Sequence, residues 1–162
     1  MMITLRPLTV TDEPFLWEML YHAIYVPEGE PPVPHAIVQQ PGIRCYVEGW
    51  GRPGDMGVVA LDGERPVGAA WLRLWPGKER GYGYLDAETP ELSIALLPGY
   101  RGKGLGTRLL TQLFEDARAC FLAISLSVST NNPARYLYER LGFERLTHDG
   151  SSLLMVKRLP GK

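Results

Sequence analysis

The chain has 162 residues, 45% of them hydrophobic and 22% charged, which are the proportions of a folded protein and not of a disordered one. Seventeen Lys and Arg against eighteen Asp and Glu leave a formal charge of −1, so no basic excess points to nucleic acid or to a membrane surface. No apolar run reaches the ~18 residues that a bilayer span needs. The opening "MMITLRPLT" lacks the apolar h-region of a signal peptide. Cys45 and Cys120 share no metal-ligand spacing and are too few for a disulfide framework. The expectation is one domain over residues 1–162, cytoplasmic, with reduced thiols and no metal.

In chain order, residues 3–6 form a short strand, and Thr11 or Asp12 caps a helix running to about Tyr25 on the spacing of Phe15, Leu16, Met19, Leu20 and Ala23. Residues 26–55 hold six prolines and five glycines and predict irregular chain, with one short helix around His35–Gln40. "MGVVALD" (56–62) and "PVGAAWLRLW" (66–75) predict a hairpin turned by Gly63, Glu64 and Arg65. A second Gly/Pro-rich loop, 76–90, leads to "ELSIALL" (91–97), an apolar strand expected to be covered on both faces. Leu105, Leu109, Leu110, Leu113, Phe114 and Ala117 repeat as one helical face. "LAISLSVS" (122–129) alternates like a strand. "NNPARYLYERLGF" predicts a helix with Asn132 as N-cap, Pro133 at N1 and Gly142 as its stop, and a final hairpin closes the chain. Adjacent strands followed by strand–helix–strand predict an α/β fold: one mixed, mostly antiparallel sheet of about seven strands with helices on its faces.

The most informative stretch is "PGYRGKGLG" (98–106), with four glycines and two cations between a strand and a helix. The first N–H groups of a helix have no intrahelical acceptor and carry partial positive charge, so an anion docks there readily. Glycine lets the backbone approach that anion and adopt positive φ. The stretch is therefore built like a phosphate cradle. It is not a Walker loop, since Leu97 and Gly104 stand where that pattern needs Gly and Ser/Thr. It is not the dinucleotide pattern either, because Gly102, Gly104 and Gly106 are spaced two and two. A glycine-rich turn that binds nothing is the competing reading.

With its flanks included, Arg101-x-x-Gly104-x-Gly106 resembles the R/Q-x-x-G-x-G/A signature of the GNAT superfamily of acetyl-CoA-dependent N-acetyltransferases. Asn131-x-x-Ala134-x-x-Leu137-Tyr138-x-x-x-Gly142-Phe143 is similar to that family's second signature, and "LRPLTVTDEPFL" to its first strand and helix. The resemblance implies a sheet with a splayed central parallel strand pair. It implies acetyl-CoA as co-substrate, with the pyrophosphate held by the backbone of Arg101, Gly102, Lys103, Gly104, Leu105 and Gly106, with Thr107 nearby. It places main-chain groups of Ile94, Ala95 and Leu96 along the pantetheine, Asn131 against the same arm, and Tyr138 as general acid. It further implies a small-molecule or peptide amine as acceptor, and a homodimer is compatible with it. A non-catalytic acetyl-CoA-binding sensor or interaction module of the same fold is the alternative.

An amine with a lysine-like pKa is only about one part in 10³ neutral at pH 7, which costs roughly 4–5 kcal/mol unless a base or a water chain offsets it. Asp86, Glu88 and Glu91 are the nearby carboxylates, with Glu91 first because it opens the strand that would present the acetyl group. A solvated strand-end carboxylate is the competing reading for Glu91. His22, His35 and His148 are isolated and fit surface or packing roles. Ser125, Ser127 and Ser129 share one side of their strand and fit close packing or the lining of a gap. Tyr21, Tyr25, Trp71, Trp75, Tyr82 and Tyr84, with Glu28 and Glu30, are the candidates for an acceptor pocket.

Overall fold

The computed structural model describes residues 2–161. Among these residues seven strands and four α-helices follow one another in the order β1 (Ile3–Pro7), α1 (Glu13–Ala23), α2 (Pro41–Arg44), β2 (Met56–Asp62), β3 (Arg65–Arg73), β4 (Glu91–Leu96), α3 (Leu105–Ala117), β5 (Ala123–Ser129), α4 (Ala134–Arg140), β6 (Glu144–Asp149) and β7 (Ser152–Arg158). They form one sheet in the order β1-β2-β3-β4-β5-β7-β6. Every neighbouring pair is antiparallel except β4–β5.

Alternation along β3 and β4 sends side chains to two faces. Gly68 and Leu96 stand opposite each other and pack under Leu109 of α3. Trp71 and Arg73 point the other way, toward the turn after α2: Trp71 Nε1 donates to the Tyr46 carbonyl, and Arg73 Nη1 to the Cys45 and Glu48 carbonyls. Helices therefore cover both faces. On one side α3 buries Leu105, Leu109, Leu110, Leu113 and Ala117, and on the other α1 buries Leu16, Met19 and Leu20.

The elements depart from expectation where side chains compete with the pattern. Asp12 is committed to the Thr9 N–H and to Arg6, so a 3₁₀ turn (Val10–Asp12) precedes a shorter α1. That helix stops at Ala23 because Ile24 is extended, leaving Tyr25 outside it. The hairpin turn is tighter than expected: Arg65 belongs to β3, and Gly63 takes a φ of 61°. Asn132 Oδ1 accepts the Ala134 N–H at 2.9 Å, the expected cap, although regular helix begins two residues later. A 3₁₀ helix (His35–Gln39) fills the place of the short helix.

The decisive feature is the pairing between β4 and β5. They run parallel and meet in register only at Glu91 and Ser125, with Ser125 N donating to the Pro90 carbonyl at 3.0 Å. Beyond that point the strands diverge. This corrects one expectation: β4 is not covered on both faces throughout, since Ser93, Ile94 and Leu96 are only half-buried along the opening.

Candidate active site between the diverging strands

Two cavities open at the divergence. The larger, about 620 Å³, runs past Ile94, Ala95 and Leu96 to Arg101 and Gly106. The smaller, about 370 Å³, reaches down to Glu91 and up β5 past Ser127 and Ser129. Tyr138, Ile94 and Asn132 line both. Tyr138 comes from α4, where Ala134 and Leu137, with Leu141 just past its end, share its half-buried face, and its ring packs edge-on against Phe143 with centroids 5.8 Å apart. Its hydroxyl has no partner among the described residues and opens into the cavities. Burial pushes that phenol up to about 12, so it is a proton donor at neutral pH.

At the start of α3, the backbone behaves as the glycine spacing predicts. Gly102 and Gly104 have φ of 74° and 80°, with open space where a Cβ would stand. Arg101 N makes a long 3.4 Å contact with the Pro98 carbonyl, but the N–H groups from Gly102 through Thr107 meet no acceptor among the described residues. A bare helix start of this kind suits a diphosphate in number, direction and sign. The loop is anchored from below: Leu97 N donates to the Val67 carbonyl, and Tyr100 OH to Asp62 at 2.6 Å. Gly106 sits at the cavity wall, where a Cβ would lie 3.8 Å from Leu137 and 3.9 Å from Ile94.

Glu91 is not a solvated strand end, being only 4% exposed. Its Oε2 accepts the Tyr46 hydroxyl at 2.7 Å and its Oε1 accepts Trp75 Nε1 at 3.0 Å. Gly81 and Gly83 lie so close that a Cβ on either would collide with the carboxylate. Gly83 also rests on the β5 backbone, within 2.7 Å of Leu126 and Ser127 for a Cβ placed there, and its carbonyl accepts Ser125 Oγ at 2.6 Å. Burial lifts the Glu91 carboxyl to about 7, against the lowering effect of its bonds to Tyr46, Trp75 and Gly83. A carboxylate poised there can take a proton near neutral pH.

The other candidates separate cleanly. Asp86 and Glu88 are exposed, and Asp86 is turned onto the Glu88 N–H. Glu28 and Glu30 are exposed and line neither cavity. Trp71 is core, and Tyr84 carries Arg80 over its ring. Tyr25 and Tyr82 do line the smaller cavity, and Tyr21 lines the larger with its hydroxyl on the Val33 carbonyl. Asn131 is exposed; its carbonyl accepts Tyr25 OH at 3.0 Å, while its neighbour Asn132 lines the cavities. His22 lines the larger cavity, where burial and then Arg101 lower its pKa, and His35 stacks on Tyr21. Among the described residues no cluster of His, Cys, Asp and Glu could hold a metal ion, and no helix is long and apolar enough to cross a membrane.

Sequence reasoning missed Tyr46. It lies in the Pro/Gly-rich segment that carries no periodicity, and only the fold brings it to Glu91. The pair Gly81 and Gly83, two glycines flanking one residue in a loop, was the available sign of a close backbone approach.

The pattern of the acetyltransferase (GNAT) family matches residues 16–143. The chain belongs to that family. It is 38% identical over 60 residues to the mycothiol acetyltransferase of Thermobispora bispora, a stretch covering 36% of this chain and 20% of that protein. This chain therefore spans only a small part of the length of that curated relative. Solved structures are similar over nearly their whole length. The PaiA N-acetyltransferase of Thermoplasma acidophilum, in complex with coenzyme A, is 21% identical with a TM-score of 0.69, covering 98% of this chain and 99% of that one. YncA of Salmonella typhimurium, with acetyl-CoA, is also 21% identical with a TM-score of 0.69, covering 100% and 96%. These likenesses show that the fold is shared.

Proposed function

We propose that this chain transfers the acetyl group of acetyl-CoA to a primary amine by direct attack while both substrates are bound. The observation that carries the reading is the meeting of two cavities at one unpartnered phenol: open N–H groups border one cavity, and a buried carboxylate lies at the end of the other. The two relatives solved with coenzyme A or acetyl-CoA support the choice of co-substrate.

The residues fit that co-substrate. The N–H groups of Gly102, Lys103, Gly104, Leu105, Gly106 and Thr107 take the diphosphate, and Arg101 and Lys103 add positive charge at the loop surface. Main-chain groups of Ile94, Ala95 and Leu96 run along the pantetheine arm in the opening that β5 leaves. Asn131 contributes by tying Tyr25 to the β5–α4 connection, and Asn132 offers the groove its wall. When bound, acetyl-CoA supplies an activated thioester.

Glu91, ionised, takes a proton from the incoming ammonium, directly or through water, and frees the lone pair. With acetyl-CoA bound, attack of the amine nitrogen on the thioester carbonyl carbon would form the C–N bond and break the C–S bond. Tyr138 would give its proton to the departing sulfur and regain one, directly or through water, from the new amide nitrogen as that nitrogen sheds its second proton. No covalent bond to the protein is needed, and among the described residues none of the lining serines, Ser93, Ser127, Ser129 and Ser152, is hydrogen-bonded through its hydroxyl to a His, Asp or Glu side chain. The test is an amine panel with acetyl-CoA, read by thiol release and by mass spectrometry of the product. Transfer to at least one amine supports the reading. Coenzyme A binding without transfer to any amine leaves the non-catalytic module in its place.

A further inference from the structure

We infer that the acceptor is a monoamine with an uncharged, largely apolar body, and that the site admits neither a free carboxylate nor a second ammonium beside the reacting nitrogen. The inference rests on the acetyl-transfer reading and narrows it.

The argument is an inventory of charge. Among the residues lining the smaller cavity, Glu91 is the single Asp, Glu, Lys, Arg or His. Most of the remaining wall is aliphatic, as at Leu20, Ile43 and Val128, or tyrosine ring, as at Tyr25 and Tyr82, and its other polar side chains, Asn132 and four serines, are neutral. Ser127 and Ser129 add hydroxyls that suit a neutral polar group. The cations around this cavity line other surfaces: Arg52 lies over the Trp75 ring and donates to the Leu74 carbonyl, and His22 lines the other cavity. Arg73 is 1% exposed and holds Asp55 through two bonds of 3.0 and 2.8 Å. Arg80 lies over the Tyr84 ring at 4.1 Å, and Arg101 lines the other cavity.

An entering carboxylate would lose its hydration, meet no cation, and share the space with Glu91. A second ammonium would find no second carboxylate, and both oxygens of Glu91 already accept bonds from Tyr46 and Trp75. An apolar body gives up no charge hydration on entry and gains from burial against the aliphatic wall.

The experiment compares compounds of matched skeleton with the full chain and saturating acetyl-CoA: 2-phenylethylamine against phenylalanine, isoamylamine against leucine, and pentylamine against 1,5-diaminopentane. Each monoamine is expected to exceed its charged partner by about 100-fold or more in kcat/KM. Equal or reversed values would overturn the inference while leaving acetyl transfer standing. Absence of transfer to every compound, with coenzyme A still raising the melting temperature, would overturn the acetyl-transfer reading and this inference with it. In Ser129→Lys, which adds a cation to the cavity wall, the preference for isoamylamine over leucine is expected to shrink; an unchanged ratio would show that selection occurs elsewhere.

Discussion

Tyr46 donates a 2.7 Å hydrogen bond to Glu91 across 45 residues of sequence, and the same hydroxyl accepts the Tyr82 N–H at 2.7 Å. The contact is held from behind. The Tyr46 carbonyl is fixed by Trp71, and the flanking Cys45 and Glu48 carbonyls by Arg73. Because the Tyr46 bond favours ionised Glu91, Tyr46→Phe leaves burial less opposed and raises the carboxyl further. The acid limb of kcat should move to higher pH, with about a tenfold loss at pH 7 that recovers in alkaline buffer. Cys45, the titratable neighbour on the same turn, is pushed up to about 11 by burial and stays a neutral thiol throughout that range. A pH-independent loss would mean that Tyr46 matters only for folding.

Under the proposed mechanism Glu91 sets the limb. In the wild type, kcat should rise with pH through about 7 as the base ionises, and Glu91→Gln should abolish that step while lowering the plateau. Stability carries the same signature. The folded value of about 7 lies above the ordinary 4.5, so between them the folded chain holds more protons than the unfolded one. This contribution is full below about 4.5 and is lost as pH rises through 7. The stability of wild type relative to Glu91→Gln, measured by urea unfolding, should therefore fall over that interval.

Tyr138→Phe removes a hydroxyl that bonds nothing else among the described residues, so the fold should be unchanged. Loss of a general acid costs about 10²-fold or more in kcat. Calorimetry should show coenzyme A binding as in the wild type. Full-speed turnover by the phenylalanine variant would remove Tyr138 from the mechanism.

Gly106→Ala tests the direction from which the diphosphate approaches. The added methyl meets only Leu137 and Ile94, at ordinary contact distance, and alanine suits a helix better than glycine by roughly 0.5–1 kcal/mol. The melting temperature should hold or rise. Affinity for coenzyme A should hold, because the added methyl points at Leu137 and Ile94 and the G/A position of the signature falls on this residue; a large loss of affinity would mean that the diphosphate lies against this Cβ direction.

Asp55→Ala tests the scaffold. The Asp55–Arg73 pair is almost fully buried, with side chains 2% and 1% exposed, and removing one partner strands the other charge. A loss of roughly 3–5 kcal/mol is expected by chemical denaturation. A change below 1 kcal/mol would mean that Arg73 finds water or another acceptor.

Wherever local pattern decides structure, the sequence was informative. The leucines of α3, the alternation of β5 and the spacing of Gly102, Gly104 and Gly106 each follow from helix, strand or turn geometry over a few residues. The two signature stretches likewise put Tyr138 and the α3 start on the same opening. What stayed hidden depends on contacts across the chain. The sequence puts Glu91 first of three carboxylates but leaves a solvated strand end as its rival, and its enclosure by Tyr46, Trp75 and Gly83 appears only in the fold. The half-burial of β4 followed from the divergence of β5, which no run of apolar residues records. Asn131 and Asn132 are adjacent, and only the turn after β5 decides which one lines the cavities.

The central claim is that the open amides at the start of α3 take the diphosphate and so aim the thioester toward Tyr138. Backbone amide NMR during titration with coenzyme A tests it most directly. The account predicts the largest movements at Gly102 through Thr107, with a second group at Ile94, Ala95 and Leu96. Saturation with those resonances unmoved, or with the changes gathered on β6 and β7, would contradict it.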